Sequence, residues 1–479
     1  MLDRIHIEES LETPLPPGIE AVSGVTHDSR SVEPGFAFVA VSGFKKDGVE
    51  FAAQAIENGA SLVVAERKVE GVPCVVVEDA REALARLAAA FHGRPSEAME
   101  VYGVTGTNGK TTTSYALYSI LSFAFGEGAC GLMTTAETVF GGERRDSVRT
   151  TPEATDVQAV LAAMRDGGAS RVVMEVSSHG VELKRVFGMK FAAALFTNLT
   201  RDHLDLHGSM EEYFRAKREL FLWTDGPKLA NADDEWGRGL ASEVEGVVTF
   251  GIADDADFRV EDVRASGRGT RFVLRSDGEA FEFETPLLGS YNVSNVAGAA
   301  SLALSVGVDG GDVARAVAEM PQVPGRFERV GGADFEVIVD YAHTDVGLAA
   351  VLEVARGVAE IRGGRVVCVF GAAGERDGAK RPLMGKVATE MADESIITTD
   401  DAYGESPEKI AEEVAAGANG KVETILDRRE AIRFALGRAK PRDVVVVAGK
   451  GHERIQHLPE GDVPFHDASV VAEIIEEGK

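Results

Sequence analysis

Gly106-Thr107-Asn108-Gly109-Lys110-Thr111-Thr112 is the stretch of this chain best suited to holding a polyphosphate. It follows the apolar residues 101–104 and leads into residues 114–125, whose spacing predicts a helix. A strand, a glycine turn and a helix N-terminus leave backbone N–H groups free for phosphate oxygens. Lys110 would reach the outer phosphates, and the Thr111 hydroxyl would meet a magnesium ion. The frame is shorter than the usual phosphate loop, because Val104 stands where the first glycine of that loop belongs. These residues read as an ATP site.

A second group of reactive side chains lies at the ends of two apolar runs. Residues 171–176 predict a strand ending in Glu175-Val176-Ser177-Ser178-His179, and residues 191–196 another ending in Thr197-Asn198-Leu199-Thr200-Arg201-Asp202-His203. Open parallel sheets bind ligands beyond the carboxyl ends of their strands. A glutamate there, in a chain with a phosphate loop, suits magnesium. With the polar groups of 197–208 it suggests a second metal or a substrate cradle. Thr150-Thr151-Pro152 precedes a helix predicted over 156–165 and could be no more than its start. Lys217 falls in a helix predicted over 209–223, where spacing alone makes it a helix-surface residue. Asn292 and Asn295 open an Ala-rich helix to about Ser305, and could cap it or read a base.

The elements that must position these groups divide into three stretches. Residues 1–97 read as a small α/β unit with short β-branched strands, a loop at 43–48 and a linker at Gly93-Arg94-Pro95-Ser96. Residues 98–325 hold the phosphate loop, with an antiparallel hairpin predicted within 247–287. Residues 326–479 alternate strands and helices as a doubly wound domain does. Their strands end in Asp340-Tyr341-Ala342-His343, Gly371–Asp377, Asp400-Asp401-Ala402-Tyr403 and Gly449-Lys450-Gly451-His452-Glu453. None of these matches G-x-G-x-x-G, so a nicotinamide cofactor is not supported.

Composition narrows the partners. Among 479 residues, 78 Asp and Glu against 50 Lys and Arg leave a net charge of −28. That argues against nucleic acid or an anionic membrane surface as the main partner. The three cysteines, Cys74, Cys130 and Cys368, are too scattered for a disulfide framework or a zinc site. Acids near the N-terminus stand where a signal peptide needs an apolar core, and no apolar run is long enough to span a bilayer. The expected location is the cytoplasm.

Taken in order along essentially the whole chain, these motifs resemble the Mur ligases, most closely the MurE type. The residues that carry the resemblance are Asp28-Ser29-Arg30, Gly106–Thr113, Thr150-Thr151-Pro152, Glu175–His179, Thr197–Gly208, Asn292–Asn295, Gly325–Glu328, Asp340–Thr344, Lys380-Arg381-Pro382 and Gly449–Glu453. The resemblance implies an α/β enzyme of three domains: a UDP-binding domain at 1–97, a central P-loop ATPase domain at 98–325 and a Rossmann-like amino-acid-binding domain at 326–479. It further implies an ATP- and Mg²⁺-dependent amide ligase that works as a monomer. This enzyme would add a free diamino acid to UDP-N-acetylmuramoyl-L-alanyl-D-glutamate through an acyl phosphate.

The roles implied by the resemblance fall on matching positions. Gly106, Thr107, Asn108, Gly109, Lys110, Thr111 and Thr112 would hold the ATP phosphates, with Asn295, Arg326, Asp340 and His343 completing the nucleotide site. Thr111, Glu175, His203 and a carbamylated Lys217 would hold metal, and Lys110, Lys217, His203 and Glu175 would be catalytic. Ser29, Thr150, Thr151, Ser177 and Arg185 would bind the UDP-muramoyl-dipeptide. Arg381, Asp400, Asp401, Tyr403, Gly449 and Glu453 would bind the incoming amino acid. Two departures stand out. Asp345 replaces a proline common in the family, and Asp400-Asp401-Ala402-Tyr403 replaces the Asp-Asn-Pro-Arg of members that select diaminopimelate. Tyrosine cannot fork onto a carboxylate as arginine does, and Asp400, Asp401 and Glu453 would make the pocket acidic. Of L-lysine and meso-diaminopimelate, that favours L-lysine, with Arg381 left for the α-carboxylate. The alternatives are the sister ligase that adds D-alanyl-D-alanine, a folylpolyglutamate synthetase-like ligase, and a nucleotide-binding partner without activity.

Overall fold

Short runs of Val, Ile, Leu and Ala, apolar on both faces, become parallel strands covered by helices on two sides. The structure, a computed structural model, describes residues 1–43, 46–147, 149–266, 269–331 and 334–477. Phe44 and Lys45 of the loop at 43–48 lie outside them. Near the N-terminus, Gly24–Thr26, Phe36–Val39, Leu62–Ala65 and Cys74–Val76 pair in that order, all parallel. The Ala80–Phe91 helix buries Leu84 and Leu87 in the core of this sheet.

Among the described residues the central sheet has eleven strands. Its parallel part runs Cys130–Met133, Arg171–Glu175, Glu100–Thr105, Ala193–Phe196, Lys228–Asn231 and Val247–Gly251. Helices Lys110–Phe125 and Ser290–Ser305 pack Tyr115, Leu117, Val296 and Leu302 on one face. Helices Ala154–Asp166 and Met210–Leu222 pack Val157, Leu161 and Phe221 on the other. Both edges are antiparallel. The expected hairpin, Gly269–Ser276 with Glu279–Thr285, is joined by Phe258–Ser266. At the far edge, Glu137–Phe140 and Glu143–Asp146 form a hairpin that the sequence pattern did not reveal. Glu100–Thr105 lies between strands that follow it on either side, so the phosphate loop emerges where the strand order reverses.

The third sheet has six strands, in the order Glu328–Val330, Glu336–Asp340, Val444–Ala448, Val366–Phe370, Glu394–Ile397 and Glu423–Thr424. All its pairings are parallel except the first. Helices Asp345–Arg362 and Lys380–Met391 cover one face, and Arg428–Arg438 and Asp467–Glu477 the other. Among the described residues no helix is long and apolar enough to cross a membrane.

Candidate active site

The phosphate loop is held open by its neighbours. Gly106 and Gly109 take φ of +145° and +84°, and a Cβ on either would strike Thr197 Oγ1 at 1.9 Å or Asn295 Oδ1 at 2.1 Å. Only glycine fits such a turn against such walls. The 197–200 segment then clamps the loop. Asn108 N–H donates to Asn198 Oδ1 at 3.0 Å, Asn198 Nδ2 donates back to Asn108 O at 3.1 Å, and Thr197 Oγ1 donates to Asn108 O at 2.6 Å. Thr107 Oγ1 accepts from Thr200 N–H at 3.0 Å and meets the Tyr213 hydroxyl at 3.2 Å. The polar richness of 197–200, legible in the sequence, therefore builds the loop's scaffold. The helix begins at Lys110, four residues earlier than its spacing predicts, because the glycine turn delivers the chain directly into helical geometry. Thr112 is buried in its first turn.

Lys110 folds back along the loop, donating to Gly106 O at 2.9 Å and Thr107 O at 2.8 Å. Lys217 is not the surface residue that spacing suggested. It is 1% exposed and donates to the same Gly106 carbonyl at 2.8 Å, with its Nζ 4.6 Å from the centre of the Tyr213 ring. Burial, and next the charge of Lys110, hold the Lys217 amine well below its ordinary pKa. Sequence spacing missed this because Met210–Leu222 turns that face toward the loop.

Glu175 is fully buried at the end of its strand, held by Thr135 N–H at 2.9 Å and Thr135 Oγ1 at 3.0 Å. It has no ion-pair partner among the described residues, an arrangement costly unless a cation neutralises it. Thr135 is a supporting residue that no sequence signal singled out. Burial lowers His203 to about 4, with Asp202 opposing, so its imidazole is neutral at pH 7. No three His, Cys, Asp or Glu converge as a ready-made metal cluster among the described residues. A neutral imidazole, an unpaired buried carboxylate and the Thr111 hydroxyl nevertheless fit Mg²⁺, which usually completes its shell with phosphate oxygens and water.

A cavity of about 590 Å³ opens over the loop and reaches the third sheet. Lys110, Glu175, His203, Asn295, Arg326 and His343 all line it. Arg326 crosses from the third unit and donates to Thr111 Oγ1 at 3.1 Å, with its guanidinium 4.4 Å over the Tyr341 ring. Asp340 accepts from Phe327 N–H and Ala342 N–H, both at 2.7 Å, and so shapes the turn that brings Arg326 there. His343 is tied by Nδ1 to Tyr341 O at 2.9 Å. Asn295 Nδ2 donates to Asn292 Oδ1 at 3.2 Å, and its other face packs on Gly109. The departure at Asp345 is structurally mild. Thr344 caps the helix by accepting from Gly347 N–H at 3.1 Å, and Asp345 takes the first helical position, where an acid suits the helix dipole.

The residues expected to bind the muramoyl-dipeptide cluster on one side of Glu175. Thr151 Oγ1 donates to Glu175 O at 3.0 Å and receives Ser177 N–H at 3.0 Å, while the Thr150 and Thr135 hydroxyls meet at 3.0 Å. The helix after Pro152 starts only at Ala154, so Thr151 does not cap it. Arg185 donates to Thr151 O at 3.0 Å and to Glu153 at 2.6 Å. Ser29 lies apart from this cluster, buried in the N-terminal unit with its hydroxyl on Gln54 Oε1 at 3.0 Å.

The amino-acid side departs from expectation. Arg381, expected to meet an α-carboxylate, is already paired with two glutamates of its own unit. Its buried guanidinium binds Glu405 at 3.0 Å, Glu413 at 2.7 Å and Ala373 O at 3.1 Å, with Nε left without a hydrogen bond. Nor is the pocket simply acidic. Lys450, fully buried, pairs with Asp401 and Glu453, both at 2.8 Å. Arg428 lies close behind, bound to Asp467 at 2.7 Å and Ala448 O at 3.0 Å. Burial lifts Glu453 to about 6 against the pull of Lys450. Asp400 accepts from Asp401 N–H at 2.7 Å and keeps a second oxygen without a hydrogen bond. Gly449 N–H donates to Asp340 O at 3.1 Å, linking this pocket to the nucleotide side. Tyr403 stacks on His457 at 5.0 Å, and the exposed Arg376 guanidinium stands 5.6 Å over the Tyr403 ring.

Comparisons with known proteins agree along the length of the chain. The family descriptions "Mur ligase family, catalytic domain", "Mur ligase middle domain" and "Mur ligase, glutamate ligase domain" match residues 21–92, 104–303 and 325–451. A protein of Syntrophomonas wolfei is 41% identical over 95% of this chain and 94% of its own length. One of Solibacter usitatus is 42% identical over 99% and 98%. Both are named UDP-N-acetylmuramoyl-L-alanyl-D-glutamate–2,6-diaminopimelate ligase. A solved structure of a ligase with that name superposes with a TM-score of 0.70 at 30% identity, over 100% of this chain and 99% of that one. With its clamped phosphate loop and this full-length likeness, the chain belongs to the Mur ligase family and is an ATP-dependent acid–amino-acid ligase.

Proposed function

We propose that this ligase joins 2,6-diaminopimelate to UDP-N-acetylmuramoyl-L-alanyl-D-glutamate, acting as a cytoplasmic monomer with domains at 1–97, 98–325 and 326–479. The observation that carries the reading is one cavity on which the phosphate loop, Glu175 and Arg326 converge, in a chain whose full-length relatives bear that name. The loop N–H groups and Lys110 hold the ATP phosphates, and Arg326 approaches them from the third domain. Asn295 and His343 flank the nucleoside. Thr111, Glu175, His203 and a carbamylated Lys217 would hold Mg²⁺, which neutralises phosphate charge. Lys217 suits carbamylation because its buried amine is held toward the neutral form.

A side-chain carboxylate oxygen of the glutamyl residue attacks the γ-phosphorus, the bond to the bridging oxygen breaks, and ADP leaves. The amine of the incoming amino acid then attacks the acyl carbon. Its lone pair forms the C–N bond, and the carbonyl π pair moves onto oxygen. When the carbonyl re-forms, the C–O bond to phosphate breaks, and the nitrogen's surplus proton leaves with the product as hydrogen phosphate. Thr150, Thr151, Ser177 and Arg185 orient the dipeptide, while Ser29 helps shape the UDP site.

Diaminopimelate displaces L-lysine as the favoured third residue for two reasons beyond the relatives' names. Lys450 offsets part of the acidity that would repel a carboxylate. Arg376, exposed beside Tyr403, supplies the guanidinium that the Asp-Asn-Pro-Arg position lacks. Asp400 retains an oxygen for an ammonium group. The test is phosphate release with the muramoyl-dipeptide and a panel of amino acids. The expected result is a clear kcat/KM preference for meso-diaminopimelate. A preference for L-lysine would overturn the third residue, and no turnover with any of them would overturn the reaction.

A further inference from the structure

Most buried or central cations of the two sites have an assigned partner. Lys110 and Lys217 hold loop carbonyls, Arg326 holds Thr111, Lys450 holds Asp401 and Glu453, Arg381 holds Glu405 and Glu413, and Arg428 holds Asp467. Lys380 differs. Half-buried at the first position of Lys380–Met391, its ammonium makes no hydrogen bond and no ion pair among the described residues. Two carboxylates from opposite sides act on it without reaching ion-pair distance: Asp202, next to His203, and Asp400, in the amino-acid pocket. Asp377 and Arg376 of its own loop and His343 of the nucleotide side also face it.

The backbone places Lys380 at the seam. Asp377 accepts from Ala379 N–H at 3.0 Å and stands 4.0 Å from Arg201, which brings the turn beside the loop bearing Asp202 and His203. On the other side, Gly374 N–H donates to Asp401 O at 2.7 Å, fixing the same turn to the amino-acid pocket. An acyl phosphate formed on the nucleotide side and attacked from the amino-acid side must pass this point. It carries negative charge, and its carbonyl oxygen gains more as the amine attacks.

We infer that Lys380 is a catalytic residue of the proposed ligase reaction, its ammonium contacting the acyl phosphate and the oxyanion that forms when the amine adds. The role rests on the reaction proposed above. A cation that meets charge only as it develops lowers the barrier to the step more than it strengthens substrate binding. Burial draws the Lys380 pKa below its ordinary value while Asp202, Asp400 and Asp377 oppose that shift, and with no ion pair formed its donors are left free for substrate.

The test uses the full chain with ATP, the muramoyl-dipeptide and meso-diaminopimelate. Lys380→Met should lose about 100-fold or more in kcat, with KM for ATP and the amino acid within about threefold of the parent. Lys380→Arg should recover part of that loss, and the melting temperature should stay near the parent's. Lys380→Gln gives the same reading should the Met variant fold poorly. An active parent together with a Met or Gln variant that keeps kcat would overturn the role, as would a raised KM for the amino acid with kcat intact. A parent that releases no phosphate would overturn the reaction and this role with it.

Discussion

Two lysines within reach of one carbonyl, that of Gly106, set the chemistry at the residue scale. Lys110 is placed to meet transferring phosphoryl charge. Lys110→Ala should therefore keep the parent's melting behaviour and lose about 100-fold or more in ATP turnover. Turnover like the parent's would reject the phosphate-loop assignment. Lys217 is buried and its amine biased toward neutrality, the state that adds CO₂ to become an anionic oxygen ligand. Lys217→Ala should be inactive and partly restored by acetate, and intact-mass measurement under CO₂ should find the carbamate on the parent. Failure of both would leave Lys217 a structural cation. Burial, and then Arg326, hold His452 down to about 3, against an ordinary 6.5. A base depressed in the folded state contributes stability above its unfolded pKa and loses it as pH falls toward the folded value. The parent should lose more stability than His452→Gln between about pH 7 and pH 4, narrowing the gap between their melting temperatures. A constant gap would show that His452 does not titrate this way.

At the element scale, the junction between Glu100–Thr105 and Lys110–Phe125 is over-determined by its walls. Gly109 takes a left-handed turn, and Asn295, from a helix 182 residues downstream of Thr113, fills the space a Cβ would need. Gly109→Ala should cost about 1–3 kcal/mol through strain, together with displacement of Asn295. A lower melting temperature and a raised KM for ATP are expected, and a variant matching the parent in both would mean the loop adapts freely. The replacement of proline by Asp345 makes the opposite point, because both residues serve the first position of a helix and the element is unchanged.

At the scale of the whole molecule, the net charge of −28 is spread over a surface whose ion pairs are mostly exposed. Such pairs contribute little each, whereas like-charge repulsion summed over the molecule favours expansion. Raising NaCl from about 0.05 M to about 0.5 M shortens the Debye length well below 10 Å. The melting temperature should rise over that range, and a fall would mean that screened ion pairs outweigh the repulsion.

What the sequence determined by itself was local. The glycine frame with Lys110 and Thr111, the strand-end position of Glu175, the 269–285 hairpin and the alternating third unit follow from turn chemistry and the periods of strands and helices. These signals are carried by neighbouring residues. Tertiary structure decided where long side chains spend their charge. Lys217 reads as exposed along its helix and is buried because the phosphate loop lies on it. Arg381 reads as a free cation and is paired with Glu405 and Glu413, each more than 20 residues away. Asp401 and Glu453 read as an acidic pocket until Lys450 is found paired with both. Spacing fixes which groups a strand end presents, but partners from other strands and helices fix which of them remain free for a substrate.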